Sequence, residues 1–97
     1  MDEIRFSWDA QKAKQNLAKH KVSFEEASTV FFDERAIEFF DPDHSEQEDR
    51  FLMLGLSCRL RVLVVSYCFR KKGLEIRIIS ARRATSKEQK VYNRGKK

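Results

Sequence analysis

Apolar residues recur along this chain at two different spacings. Ala10, Ala13 and Leu17, then Phe24, Ala27, Val30 and Phe31, fall three or four apart, the repeat of helices with one buried stripe. From Ala36 onward apolar and polar residues alternate over 36–40, 51–56, 62–69 and 74–81, which predicts four half-buried strands. Asp9 is placed to cap a helix over 10–19, and Ser23 with Glu26 makes a capping box for a second. Lys19-His20-Lys21-Val22 must turn the chain between them, with His20 at the end of the first helix's apolar face as a structural residue. Ile4-Arg5-Phe6 is a short alternating piece ahead of Trp8, which reads as a core anchor. Thr85-Ser86-Lys87-Glu88 is a further capping box, opening a last helix whose apolar contacts are Val91 and Tyr92.

The third and fourth strands join at Lys71-Lys72-Gly73, where Gly73 supplies the positive φ of a tight hairpin. Pairing Lys71 with Leu74 sets Arg70 opposite Glu75, Phe69 opposite Ile76, Cys68 opposite Arg77, Tyr67 opposite Ile78 and Ser66 opposite Ile79. Facing residues share a side of the sheet. Leu63, Val65, Tyr67, Phe69, Ile76 and Ile78 therefore form the core side, while Ser66, Cys68, Arg70, Glu75 and Arg77 form a polar one. The expected fold is α+β, a small antiparallel sheet packed by helices on one face, with two N-terminal helices and one C-terminal helix. A length of 97 residues suits one domain over 1–97.

Charge changes this picture from a small fold to one with a purpose. From Arg59 onward thirteen bases face two acids, Glu75 and Glu88, a balance of +11; before it seven bases face thirteen acids, a balance of −6. The basic half reads as a polyanion-binding surface, the alternative being a solvated rim that keeps a small protein soluble. Cys58 and Cys68 are too few for a disulfide scaffold and lack the spacing of a zinc site, so free thiols are expected. Without a long apolar run, and with Asp2 and Glu3 where a signal peptide carries positive charge, the expected location is the cytoplasm, away from any membrane.

Candidate chemistry gathers in two places. The loop from Asp41 to Arg50 is dense in acids around His44. A histidine can give or take a proton near neutral pH, and Glu48 could orient it or act as the base; equally, His44 could pin the loop through hydrogen bonds. No metal ligand set and no cofactor motif is legible, since isolated acids around a turn are ordinarily solvated. The second place is the polar sheet side, where Arg70 and Arg77 offer guanidinium forks that match phosphate oxygens, and Arg82 ends the last strand beside a helix N-terminus. Lys71, Lys72, Arg83 and Lys87 add positive charge around them. The tail from Arg94 to Lys97 is a further basic end.

Phe6-Ser7-Trp8-Asp9, Lys12-Ala13, Asn16, Lys19-His20, Val22-Ser23-Phe24-Glu25-Glu26-Ala27, Asp41, His44-Ser45, Glu48, Arg50, Gly55, Ser57, Tyr67, Arg70, Arg77-Ile78-Ile79-Ser80-Ala81-Arg82 and Tyr92 together resemble the BrnT family of ribonuclease toxins. The resemblance spans nearly the whole chain. Lys21 stands where the family usually has Gly, and Asp33-Glu34 where it commonly has Asp-Pro. The resemblance implies a RelE-like fold and toxin activity against cellular RNA, and the base, acid and cations among the residues independently suit cleavage of RNA without a metal. It also implies neutralisation by a cognate DNA-binding antitoxin, BrnA-like, in a hetero-oligomer that represses its own operon. Arg70, Arg77, Arg82, His44 and Glu48 are then the expected catalytic set. A non-catalytic nucleic-acid binder and a protein-interaction module are the competing classes.

Overall fold

The computed structural model describes residues 4–45 and 47–94; beyond Arg94 the basic tail lies outside them. The elements are β1 (Arg5–Ser7), α1 (Ala10–His20), α2 (Phe24–Thr29), a 3₁₀ turn (Val30–Phe32), β2 (Ile37–Asp41), a second 3₁₀ turn (Pro42–His44), β3 (Arg50–Leu56), β4 (Val62–Arg70), β5 (Glu75–Arg83) and α3 (Ser86–Arg94). The strands form one sheet in the order β1-β5-β4-β3-β2. It is a mixed sheet and not the antiparallel one expected, because the short piece before Trp8 becomes β1 and lies parallel to β5, Arg5 against Glu75 and Ser7 against Arg77.

The cap residues act as their spacing predicts. Asp9 accepts from the Lys12 amide, Ser23 from the Glu26 amide, and Thr85 and Glu88 bond each other's backbone reciprocally. Glu26 does not close its own box. Its buried carboxylate instead takes Arg61 Nε at 2.9 Å and Ser57 Oγ at 2.6 Å, and Arg61 Nη2 continues to the Lys21 carbonyl at 3.0 Å. The guanidinium holds the Glu26 carboxyl below the usual range, so the pair stays ionised although Glu26 is buried. Lys21 occupies the left-handed region at φ 61°, which explains why glycine suits this C-cap and why a lysine there carries strain.

Two apolar layers flank the sheet. Val22, Phe24, Ala27 and Val30 pack on Leu63, Val65, Tyr67, Ile76, Ile78 and Ala81, with Trp8 edge-on to Phe24 at 5.9 Å. On the opposite side Tyr92 of α3 packs with Leu54 and Val64. The helices therefore divide between both faces, contrary to the expected one-sided packing. The reason is in the sequence: Leu52, Leu54, Leu56, Val62 and Val64 put an apolar end on the otherwise polar side, and α3 covers it. Tyr92 donates to Asp33 at 2.6 Å, tying α3 to the turn after α2. Gly55 is required by close approach, since a Cβ there would lie 2.7 Å from Val30 Cγ1.

The β4–β5 register runs as predicted from Arg70–Glu75 to Tyr67–Ile78, then shifts: Ser66 faces Ser80, and Ile79 is the extra residue of a bulge. Lys71 and Lys72 share the left-handed backbone of Gly73, so the hairpin turn spans more residues than expected. Past the bulge Ala81 points into the core. Its N–H and C=O lie on the edge where β1 has already ended, and the Asn16 amide satisfies both, at 3.1 and 2.8 Å, while also reaching the Val22 carbonyl at 2.9 Å. Asn16 is thus the buried residue of α1, and Leu17, expected in the apolar stripe, is 49% exposed.

Removing that amide strands a buried donor and acceptor together. Asn16→Ala is expected to lower unfolding free energy by about 1–3 kcal/mol in urea titrations, while Leu17→Ala stays within about 0.5 kcal/mol of the wild type.

Candidate active site

Alternation along β3, β4 and β5 places Arg50, Cys68, Arg70 and Arg77 on one side of the sheet, because Arg50 pairs with Cys68, Cys68 with Arg77 and Arg70 with Glu75. With the loop and the start of α1 they line a cleft of about 110 Å³ formed by Asp9, Lys12, Glu48, Arg50, Arg70, Arg77, Ile78 and Ile79. Four cations face two carboxylates in it. Glu48 and Arg50 also line a second cleft of about 310 Å³, with Asp43, His44 and Gln47. The two clefts share the Glu48–Arg50 wall.

The cations differ in how far the protein already compensates them. Glu75, the nearest acid on the strand, is taken by Ser7 at 2.7 Å and Lys71 at 3.5 Å, and Arg77 forms no salt bridge among the described residues. Arg70 has a loose partner in Glu48, 3.6 Å away and itself accepting from the Cys68 thiol at 3.5 Å. Burial pushes that thiol's pKa up, so Cys68 remains a donor. Arg50 Nε is buried and makes no hydrogen bond to the protein. Asp9 stays ionised because the Lys12 amide, and more weakly the Gln11 amide and the Lys12 and Arg77 charges, hold its carboxyl down.

Of the residues expected to carry chemistry, Arg70, Arg77 and Glu48 meet in the inner cleft and His44 lines the outer one. His44 is oriented by Asp41, whose Oδ2 lies 2.9 Å from Nδ1, and not by Glu48. That contact makes Nδ1 the donor and leaves Nε2 to exchange a proton. Its side chain is 65% exposed, open to a substrate. Arg82 lies on the same side as Arg77 only because of the bulge, four β4 positions away, or ~13 Å along the strand. There it forms a two-pronged pair with Glu88, at 2.8 and 2.9 Å, so the helix N-terminus expected to meet a phosphate already holds a carboxylate. Lys71 and Lys72 are exposed at the hairpin beside Arg70. Arg83 pairs with Leu63 and so belongs to the other side of the sheet, and Lys87 is exposed on α3.

Arg50 and Lys12 had no role in the chemistry expected from the sequence, and Asp9 was expected only as a helix cap. Arg50 could have been placed by extending the alternation of Leu52 and Leu54 backward by one step. Lys12 and Asp9 arrive through tertiary contact, which periodicity does not report. Tyr67, expected in the core, is fully buried, donates to Glu38 and has its phenol pushed well above its ordinary range by burial and that carboxylate. Among the described residues no group of three or more His, Cys, Asp and Glu side chains is arranged to hold a metal ion, and no helix is long and apolar enough to cross a membrane.

A family model described as ribonuclease toxin, BrnT, of type II toxin-antitoxin system matches residues 8–88. Among solved structures, the chain is similar to the ribonuclease toxin BrnT of Brucella abortus, with a TM-score of 0.66 and 22% identity over 87% of this chain and 100% of that one, a likeness of fold. No curated protein sequence matches it.

Arg82 holds the Glu88 carboxyl down to about 2, against an ordinary 4.5. A depressed folded-state pKa contributes stability that is complete above the unfolded value and lost as the pH falls through the folded one. The stability difference between wild type and Glu88→Gln, which keeps the cap but not the charge, is therefore expected to be full above pH 4.5 and to vanish towards pH 2. Denaturant titrations across that range check it.

Proposed function

The chain belongs to the BrnT family of type II toxin–antitoxin ribonuclease toxins, and from that premise we propose that it cleaves single-stranded RNA in the paired clefts without a metal ion. The observation that carries this reading is the convergence of Arg50, Arg70 and Arg77 with Glu48 on the polar side of the sheet. RNA carries its own nucleophile. Glu48 takes the proton of the 2′-OH, the O2′–P bond forms as the P–O5′ bond breaks, and His44, held by Asp41, gives a proton through Nε2 to the departing 5′-oxygen. The products are a 2′,3′-cyclic phosphate and a 5′-hydroxyl. Arg70 and Arg77 neutralise the charge that builds on the phosphorane, a task suited to guanidinium because it stays charged and matches oxygen pairs.

Lys71 and Lys72 attract the strand, Lys87 on α3 and Arg83 on the other side of the sheet add only to the overall positive charge, and Arg82, paired with Glu88, lies on its route beyond the clefts. The same reading takes residues 1–97 as one toxin domain with a RelE-like architecture, working in the cytoplasm. Its partner is a DNA-binding, BrnA-like antitoxin that covers the basic side with an acidic or amphipathic segment and joins it in a hetero-oligomer that represses the operon. Among the described residues the basic half holds strands and one short helix, α3, which leaves operator recognition to the partner.

Incubation of the purified protein with single-stranded RNA, with and without chelator, tests the reaction. Arg70→Ala and Arg77→Ala are each expected to slow cleavage by ~10² to 10³ with thermal unfolding unchanged, and His44→Gln to slow it by ~10² to 10⁴ with RNA affinity retained. RNA that is bound but stays intact with the wild-type protein would instead make the chain a binder. Full activity in soluble arginine variants would remove this side of the sheet from the site.

A further inference from the structure

The two clefts are not separate sites, because Glu48 and Arg50 belong to both. The outer cleft, with His44, holds the proton-transfer group. The inner one is lined by Arg70 and Arg77 and also by Lys12 and Asp9 at the start of α1. This inner end is more cationic than one phosphate requires. Glu48 is loosely paired to Arg70, and Asp9 is shared between Lys12 and Arg77, so two carboxylates face four cations and a net positive charge remains. Lys12 forms no salt bridge among the described residues, and Arg50 offers a buried Nε that makes no bond to the protein.

We infer that Lys12 forms a second phosphate subsite beside the scissile one, so that the substrate is an RNA strand of at least three nucleotides lying across both clefts, with Arg50 at the junction of its two phosphates. The inference rests on the proposed ribonuclease reading and adds to it the length of strand recognised. Its geometry follows from the fold. Asn16 fixes α1 to β5 one turn further along the same helix, so the start of α1 is held against Arg77 and its lysine is presented at a set place. A charge-assisted contact to a phosphate oxygen contributes about tenfold in binding, and it acts only on substrates long enough to reach it.

The experiment compares a dinucleoside monophosphate, which has one phosphodiester, with a tetranucleotide of the same sequence at the scissile step. Lys12→Ala is expected to raise KM for the tetranucleotide about tenfold, with kcat unchanged, and to leave the dinucleotide's kcat/KM as it was. Arg50→Ala is expected to impair both substrates, the tetranucleotide more. Lys14→Ala, on the same helix but outside the cleft, serves as the control for long-range charge. Equal effects of Lys12→Ala on the two substrates, no effect on either, or an effect matched by Lys14→Ala would each overturn the subsite. A wild-type protein that cleaves neither substrate nor longer RNA would overturn the ribonuclease reading itself, a separate outcome from the others.

Discussion

Strand β5 has to face the core on one side and carry cations on the other, and simple alternation cannot meet both demands along its length. Continued from Ile76 and Ile78, a strict two-residue repeat would send Ser80 and Arg82 into the core and Ala81 out of it. The bulge at Ile79 reverses this from Ser80 onward, since one extra residue moves every later side chain to the opposite side. Ala81 then fills the small core position and Arg82 emerges to meet Glu88. The bulge lies where β1 no longer covers β5, which leaves Ala81's polar groups without a strand neighbour. Asn16 supplies what the missing strand would, and by doing so fixes the axis of α1 to β5. The position of Lys12 and Asp9 beside Arg77 follows from that side chain together with the pairing of Ser7 with Arg77.

A second joint holds the remaining helical layer. Glu26 is buried, and an isolated carboxylate there would be costly, but two donors from Arg61 and one from Ser57 satisfy it. Arg61 in turn bonds the Lys21 carbonyl. The cluster joins the α1–α2 turn, α2 and the β3–β4 turn, so the division of acids and bases along the sequence becomes an attraction between layers. Buried pairs of this kind contribute less to net stability than to fixing one arrangement, because desolvation offsets most of the Coulomb gain.

The signals that were legible in the sequence were local. Asp9, Ser23 and Thr85 cap the helices because their hydrogen-bonding reach is three residues, and the hairpin register follows from pairing outward from Lys71-Lys72-Gly73. Tyr67 and Trp8 are core residues as their spacing indicates. What was missed depends on distant partners. Arg5–Ser7 is too short to show a repeat and becomes a strand only because β5 lies alongside. The side covered by α3 is decided by Leu54 and Val64, far away in sequence. Asn16 looks like a surface residue until Ala81 is placed next to it. Glu88 could be read as a cap but not as the partner of Arg82, and Lys12 enters the cleft through the packing of α1.

The arginines of the basic half sort by how fully the protein satisfies them. Arg61 is enclosed by its pair with Glu26, and Arg82 is held by both oxygens of Glu88. Arg70 has one loosely held carboxylate, and Arg77 forms no salt bridge among the described residues, its charge reaching Asp9 and Glu75 only weakly. Structural arginines acquire partners because an uncompensated charge near others of its sign destabilises the folded state. The protein compensates Arg61 and Arg82, which stitch elements together, and leaves Arg70 and Arg77 more loosely compensated on one side of the sheet. An incoming phosphate would supply the counter-charge they lack, and so would an acidic segment of a partner. On the proposed reading the same undercompensated charge draws both the substrate and its competitor, and binding of either would be coupled to the stability of the fold.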